Sequence, residues 1–336
     1  MDLLSIVLQL IGIFFIIVAA IAIHEAGHLF FGLKTGYRFI SYSLLSFTWM
    51  KQKDKVVFAR NKNSLVLGQC LMTPPEKEED FHFILYNYGG GLANLFFALT
   101  TLPILLFTIE GPETFWILLF VNFWINLFFS LINLLPFRKN IPNDGANVKE
   151  AKKSADAKHG LFVMLTIAKH FADGKILSDF EEEFFTVTPE ADKNNYFVAY
   201  LIAAKAEWLF DKKRNEEGFT LLSSLKEEHL QALPNYYQQS IYADYLYYYS
   251  AIAPDKEKAK RYYANPKLQK LLKMEDLSFL LVKATYIIYI GKDFVEGRKL
   301  IEKIKRNLPL YPYRGVASEK EREMLILQEY INEKMT

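Results

Sequence analysis

A pair of histidines at the end of a long apolar run constrains this chain more than any other feature. Residues 24–28 read HEAGH, an HExxH motif, and residues 3–23 before it carry no charge. On an α-helix, side chains at i and i+4 share one face, so His24 and His28 can reach one Zn²⁺ ion, with Glu25 beside them as general base. Each ionisable group in an apolar run costs about 2.5–3.5 kcal/mol. The motif therefore favours a metal site over an accidental cluster at a helix end.

Three uncharged segments predict membrane spans, because each can cross about 30 Å of hydrocarbon at 1.5 Å per residue. From Asn147 to Thr336 the charge density rises, and no comparable run returns. A cleaved signal peptide over residues 1–22 is not expected, since no basic segment precedes the apolar run. The sequence predicts a mainly α membrane protein: a transmembrane domain at 1–147, with spans of about 3–33, 83–109 and 114–136, and a soluble helical domain at 148–336.

The distribution of basic residues orients these spans. Lys34, Arg38 and Lys77 flank spans one and two on one side, and Arg138 and Lys139 follow span three, whereas the link between spans two and three holds no Lys or Arg. By the positive-inside rule, the N-terminus is expected outside and the soluble domain in the cytoplasm. The metal site is then expected inside the membrane, near its cytoplasmic face.

A third metal ligand is expected because catalytic zinc takes three protein ligands and a water. Asp144 is the candidate, on the Pro/Gly-bounded stretch 142–145 that follows span three. Pro, Asn, Asp and Gly are also turn residues, so a plain turn is the alternative interpretation. Cys70 is the only cysteine, which leaves no disulfide and no thiolate cluster.

Polar and small residues mark the inner faces of spans two and three. Amides buried in lipid face the bundle interior, and small residues allow close helix approach. Helix–helix contact is the favoured interpretation for Asn122 and Asn126, while Asn94 and Asn133 are equally candidates for substrate contact. The full set is Gly89, Gly90, Gly91 and Asn94 in span two, and Asn122, Asn126, Ser130 and Asn133 in span three.

HEAGH in the first span, a Gly-rich segment ending in Asn in the second, and NLLP followed by DG after the third together resemble the site-2 proteases, zinc intramembrane metalloproteases. The resemblance covers roughly residues 10–147. It implies that His24, His28 and Asp144 hold zinc and that Glu25 is the catalytic acid/base. It also implies a bacterial plasma membrane location and a membrane-spanning protein or peptide as substrate.

The same resemblance assigns substrate contacts. Asn133 would bind the substrate backbone, and Gly91 with Asn94 would match the family's second-span motif. The stretches 36–43 and 67–72 look like the short β elements that clamp a substrate strand, and alternation at 39–44 and 56–59 fits strands. The chain departs from the family in a longer stretch between Asn133 and Asp144, and in Asn143, where a hydrophobic residue is usual.

The pattern of apolar residues in the soluble half predicts pairs of helices. Residues 196–225, 236–272 and 278–307 each contain two segments with apolar residues at helical spacing, separated by a turn. Gly218, Ala259 and Gly297 follow these turns. The last pair resembles a tetratricopeptide repeat, so a TPR-like domain that binds a cytoplasmic protein partner is expected, against an irregular helical domain. Seven tyrosines between 236 and 249 are interpreted mainly as packing, with a peptide groove as the alternative. No basic stripe suggests nucleic acid.

Two functions of different classes follow from these patterns. The first is a zinc-dependent intramembrane endopeptidase. The second is a membrane-anchored helical-repeat scaffold whose zinc site is structural or inactive, an interpretation favoured by the unusual spacing between Asn133 and Asp144.

Overall fold

The structure is a computed structural model that describes residues 3–52, 55–60, 67–107, 111–311 and 313–335. It is mainly helical with a small antiparallel sheet, which confirms the predicted mainly α class. The chain divides into two compact units. The first unit comprises Met1–Lys51 and Ser64–Lys153, and the second comprises Gln52–Asn63 and Ser154–Thr336.

Three helices of the first unit are long and apolar enough to cross a membrane: α1 (Leu3–Lys34), α2 (Phe83–Phe107) and α3 (Glu113–Leu134). The end of the predicted second span, residues 108–109, lies outside the described residues. Each helix packs against the other two. Large apolar side chains such as Phe15, Phe96 and Phe128 point outward and are exposed. Small and polar side chains fill the contacts between the helices, the arrangement expected of a bundle in lipid.

A four-stranded sheet follows the first helix. Its strands are β1 (Arg38–Leu44), β2 (Phe47–Gln52), β3 (Lys55–Arg60) and β4 (Gly68–Thr73), in the order β3-β2-β1-β4. β1 pairs antiparallel with β2 and with β4, so that Tyr42 lies opposite both Trp49 and Cys70. The strands predicted from alternation and the two β elements at 36–43 and 67–72 are therefore confirmed. The Tyr42 hydroxyl ties β1 to α1 by donating to the Ala22 carbonyl at 2.8 Å.

A short helix, α4 (Asp144–Ala151), begins at the predicted third ligand. Asn143 is its N-cap residue, and its side-chain oxygen accepts a hydrogen bond from the Ala146 N–H at 2.9 Å. α4 packs against α2 and α3 and belongs to the first unit, which ends at Lys153. The first unit thus extends past residue 147, where the sequence suggested a boundary.

Besides strand β3, the second unit contains the helices that begin with α5 (Ala155–Ala172), and the predicted helix pairs are found among them. The predicted helical segments become α6 (Tyr196–Asp211) with α7 (Asn215–Ser223), α9 (Asn235–Tyr247) with α10 (Lys256–Tyr263), and α12 (Leu277–Tyr289) with α13 (Phe294–Asn307). The small residues Gly218, Ala259 and Gly297 are buried on the second helix of each pair. The TPR-like character stays a prediction. The remaining α-helices of this unit are α8 (Glu227–Ala232), α11 (Pro266–Leu271) and α14 (Arg314–Met335).

The tyrosines of the second unit contribute to its packing. The rings of Tyr245 and Tyr249 each stack on Tyr262 of α10, at centroid distances of 5.2 and 6.1 Å. The Tyr245 hydroxyl donates to the Leu222 carbonyl at 2.9 Å, which joins α9 to α7. These contacts use the apolar ring faces for burial and the hydroxyl for a buried hydrogen bond.

Candidate metal centre

The three predicted metal ligands meet at one point. His24 and His28 lie one helical turn apart on α1, and their Nε2 atoms are 3.1 Å apart. Asp144 Oδ2, at the start of α4, lies 3.1 Å from His24 Nε2 and 3.3 Å from His28 Nε2. The ligand atoms all fall within 4.8 Å of one another, and both histidines are buried. The fold therefore brings Asp144 to the histidines across more than a hundred residues of sequence.

Hydrogen bonds fix which imidazole nitrogens carry protons. His28 Nδ1 lies 2.7 Å from the Tyr86 carbonyl oxygen, which only accepts, so this nitrogen is the donor. His24 Nδ1 lies 3.0 Å from Asn94 Oδ1, and Asn94 Nδ2 donates to the Ala20 carbonyl at 3.0 Å, which orients the amide. His24 Nδ1 is then also a donor. When an imidazole with this Nδ1 proton is neutral, its Nε2 carries a lone pair, and both Nε2 atoms lie within 3.3 Å of Asp144 Oδ2.

This donor set fits a divalent cation. Asp144 Oδ2 is buried, and with neutral imidazoles it receives no hydrogen bond among the described residues, because the two Nε2 atoms that face it are then acceptors. Three converging lone-pair atoms repel one another, and a buried unpaired acceptor costs about 1–3 kcal/mol. A divalent cation satisfies all three atoms at once, whereas a single proton does not. Two imidazole nitrogens and one carboxylate oxygen form a ligand set typical of catalytic zinc.

Gly90 of α2 leaves room for an ion at this point. A Cβ atom at Gly90 would lie 2.6 Å from His24 Nε2 and 2.6 Å from His28 Nε2. Any side chain here would occupy the space next to the two ligand atoms. The sequence singled out Gly91 through the family motif, but Gly91 packs against the Leu134 side chain instead. Three consecutive glycines gave no signal of which one faces the histidines.

Glu25 is held beside the ligands by the sheet. Its side chain is buried, and its carboxylate accepts a hydrogen bond from the Cys70 backbone N–H of β4. The Cys70 carbonyl in turn accepts from the Tyr86 hydroxyl at 3.0 Å, so one residue of β4 connects α1 with α2. Burial raises the pKa of the Cys70 thiol to about 12, so the thiol stays protonated and Cys70 acts through its backbone. Because this contact is a backbone one, no sequence motif predicts it.

The three predicted substrate-contact residues occupy different places. Asn94 is fully buried and bonds to His24, which makes it a neighbour of a predicted metal ligand. The Asn133 amide donates to the Phe129 carbonyl of its own helix at 3.0 Å. Gly91 lies at the packing contact with Leu134. A role of these residues in binding substrate stays a prediction.

Asn143, which stands where the site-2 proteases that this sequence resembles usually have a hydrophobic residue, is hydrogen-bonded at both ends of its amide. Its Oδ1 accepts from the Phe137 N–H at 3.0 Å as well as capping α4, and its Nδ2 donates to the Leu135 carbonyl at 2.7 Å and to the Ile132 carbonyl. One amide thus closes the longer stretch after α3 and places the first residue of α4. A hydrophobic residue has no groups to form these bonds.

Arg138, one of the residues of this longer stretch, is also used in the fold. Its guanidinium donates to the Glu150 carboxylate on α4 at 2.8 Å, and Lys153 bonds to the same carboxylate. Glu150 is almost completely buried, so these two cations offset its loss of hydration. The longer stretch is therefore an ordered support for α4.

Comparison with known proteins adds no assignment: no protein-family model, curated protein or solved structure matches this chain.

Proposed function

We propose that this chain is a zinc-dependent intramembrane endopeptidase that cleaves a membrane-spanning protein or peptide. The observation that carries the proposal is the convergence of His24, His28 and Asp144 beside Glu25, in a unit whose helices are long enough to cross a membrane. The order of motifs that resembles the site-2 proteases supports the same conclusion.

The chain's own residues suit peptide hydrolysis. His24, His28 and Asp144 would hold the ion, and bound zinc would supply a Lewis acid that activates water and polarises a carbonyl. Glu25 would accept a proton from the attacking water and deliver it to the leaving amine. The Cys70 N–H bond restrains the Glu25 carboxylate, so the base is oriented before substrate arrives.

A transmembrane substrate requires a further device, because a helix hides its carbonyls in i→i−4 hydrogen bonds. The substrate must unwind locally, and protein groups must satisfy the freed backbone. The small sheet beside α1 is suited to this by strand addition, with the Asn133 amide as a second contact. If Asn133→Ala leaves cleavage of a substrate unchanged, the amide has no such role.

The proposed setting is an integral membrane protein of a bacterial plasma membrane. The N-terminus lies outside, and the second unit lies in the cytoplasm, as the basic residues around the spans indicate. The second unit would bind a cytoplasmic protein or the cytoplasmic part of the substrate. Removal of residues 180–336 is then expected to change substrate choice more than hydrolysis of a minimal substrate.

The deciding experiment compares wild type with Glu25→Gln, a nearly isosteric change that leaves the three ligands in place. Purified bacterial membranes are incubated with each protein, and new N-termini are identified by mass spectrometry. Wild type is expected to generate N-termini inside predicted spans, and the variant to reduce them by about 10²–10⁴-fold while keeping its zinc.

The scaffold interpretation gives a different result in the same experiment. Both proteins would hold zinc, and their sets of N-termini would be identical. That outcome would refute the protease proposal and retain the metal site as a structural one.

A further inference from the structure

A continuous chain of side-chain hydrogen bonds leads away from the candidate metal site into the apolar bundle. It begins at His24 and passes through Asn94 of α2 and Asn126 of α3, both completely buried. Asn126 then donates to Asn122 Oδ1 at 3.1 Å, and Asn122 donates to the Thr101 hydroxyl at 3.0 Å. Thr101 ends the chain by donating to the Phe97 carbonyl at 2.8 Å.

Backbone carbonyls fix the direction of every bond in this chain. Asn94 Nδ2 uses one hydrogen on the Ala20 carbonyl and the other on Asn126 Oδ1, at 3.0 and 2.9 Å. Asn126 Nδ2 donates to the Asn122 backbone carbonyl at 3.0 Å, which prevents the Asn126 amide from turning over. Since carbonyl oxygens cannot donate, the donors all point away from His24. Asn94 Oδ1 is left to accept from His24 Nδ1.

Aligned hydrogen bonds reinforce one another. When an amide donates its N–H, its oxygen becomes a better acceptor, and in a low dielectric this effect adds about 10–30% per bond. A stronger acceptor on Nδ1–H makes His24 Nε2 a stronger electron donor to a metal. Because each amide accepts from one partner and donates to the next, each link keeps the next one oriented.

We infer that Asn126, Asn122 and Thr101 are positioning residues, which act through Asn94 to set the tautomer and ligand strength of His24. The inference rests on the zinc site of the proposed function, although it does not require that the protein be a protease. It differs from simple helix–helix contact, in which the amides stabilise the bundle without affecting the metal.

The test measures zinc dissociation constants of the full chain by chelator competition in detergent, together with its thermal stability. Asn94→Leu is expected to weaken zinc binding by about 10–100-fold, the usual effect of removing a partner of a ligating histidine. Asn126→Leu is expected to have a smaller effect, and Thr101→Val a smaller one still. Thr101→Ser, which keeps the hydroxyl, is expected to match wild type.

Asn87→Leu is the matched control. Asn87 is an equally buried amide of α2, but its Nδ2 donates to the Phe83 carbonyl of its own helix. Its loss is expected to lower stability without changing the zinc dissociation constant. The inference is wrong if Asn126→Leu, like Asn87→Leu, leaves the zinc dissociation constant unchanged, or if Thr101→Val and Thr101→Ser bind zinc equally. The hydrogen-bond chain would then serve only as contact between helices.

A metal-free readout separates this inference from the proposed function. In the zinc-free protein, ¹⁵N NMR of labelled histidine is expected to show His24 with the proton on Nδ1, and a changed Nδ1 resonance in Asn126→Leu. If wild type binds no zinc, the proposed enzyme is excluded, but this spectrum still tests whether the hydrogen-bond chain sets the tautomer of His24. An unchanged His24 resonance in a folded Asn126→Leu protein would overturn it.

Discussion

Each unit of this protein contains a cluster of ionisable side chains, and the two clusters satisfy their charges differently. In the first unit, His24, His28 and Asp144 present lone pairs to one another in an apolar bundle. In the second unit, a cavity of about 430 Å³ is lined by both acids and bases. There Lys320 bonds to Glu319 at 3.2 Å and to Glu323 at 3.1 Å.

The two clusters differ in how their charged and polar groups are compensated. In the cavity, carboxylates such as Glu207 are offset by Lys320 and can also take up protons. In the bundle, the three converging atoms belong to two imidazoles and one carboxylate, and each Nδ1 proton is already bound to a partner. The first cluster can therefore hold a metal ion, whereas the charges of the second are balanced by its own basic residues and by proton uptake.

The largest expected effect follows from removing a ligand of the first cluster. Asp144→Ala should lower bound zinc from about one ion per chain to almost none, because two histidines alone form a weak site. Metal content of the purified protein by mass spectrometry measures this, with Asp156→Ala on α5 as the control that keeps zinc. Zinc retained in Asp144→Ala would mean that the third ligand is another residue and that the comparison of the two clusters fails.

Adjacent glycines of α2 give a sharper test. Gly90→Ala would place a methyl group against both Nε2 atoms and should weaken zinc binding at least 10-fold, because the methyl takes the space beside the ligands. Gly91→Ala would instead meet the flexible Leu134 side chain at 2.8 Å and should keep zinc at some cost in stability. Titration of both variants with zinc distinguishes them, and equal affinities would contradict the arrangement described.

A smaller effect is expected from the support of Asp144. Asn143→Ala removes the cap of α4 and the bonds that close the preceding stretch, so it should cost about 1–2 kcal/mol of stability and weaken zinc binding several-fold. Ser154→Ala is the matched control, since Ser154 caps α5 by accepting from the Ala157 N–H at 3.1 Å. Comparable loss of zinc affinity in both variants would show that capping alone is responsible.

The smallest predicted effect concerns pH and the second cluster. Partial removal from water raises the pKa of Glu207 to about 7 from 4.5, with Lys320 opposing and the carboxylates of Glu319, Asp211 and Glu323 adding to the rise. The folded state then binds more protons than the unfolded state between these values, so stability is lost as the pH rises from about 4.5 through 7.

Hydrogen exchange of α6 and α14 peptides at about pH 5 and about pH 8 measures this change in the full chain. Protection should fall at the higher pH in wild type. Glu207→Gln should reduce the difference, whereas the exposed Glu302→Gln on α13 should not. If protection of these peptides does not change with pH, the basic residues of the cavity fully compensate its carboxylates.

Sequence patterns predicted much of this architecture. Uninterrupted apolar runs place α1, α2 and α3, since length and composition decide whether a helix suits a bilayer. Alternation of apolar and polar residues predicted β1 and β3. Paired segments with helical spacing of apolar residues predicted the helix pairs of the second unit. The HExxH spacing put His24 and His28 on one face because helical geometry is local.

Other features had no local signal. The sequence did not distinguish Gly90 from Gly91, did not connect Cys70 with Glu25, and left the purpose of Asn143 unexplained. The bond between Asn126 of α3 and Asn94 of α2 confirms the interpretation of Asn126 as helix contact, but the sequence did not predict that Asn94 is also the partner of His24. Each of these depends on the rotation of one helix relative to another or on a backbone group, and neither is encoded in a short motif.

The amino-acid sequence alone specifies which residues are available for chemistry and which segments are apolar, because composition and periodicity act over a few turns. The meeting of Asp144 with the histidines comes from tertiary packing, since it requires the stretch after α3 to place the start of α4 beside the end of that helix, and both Nδ1 atoms to be held by α2. Three atoms converge because three elements pack, and this packing is a property of the whole unit.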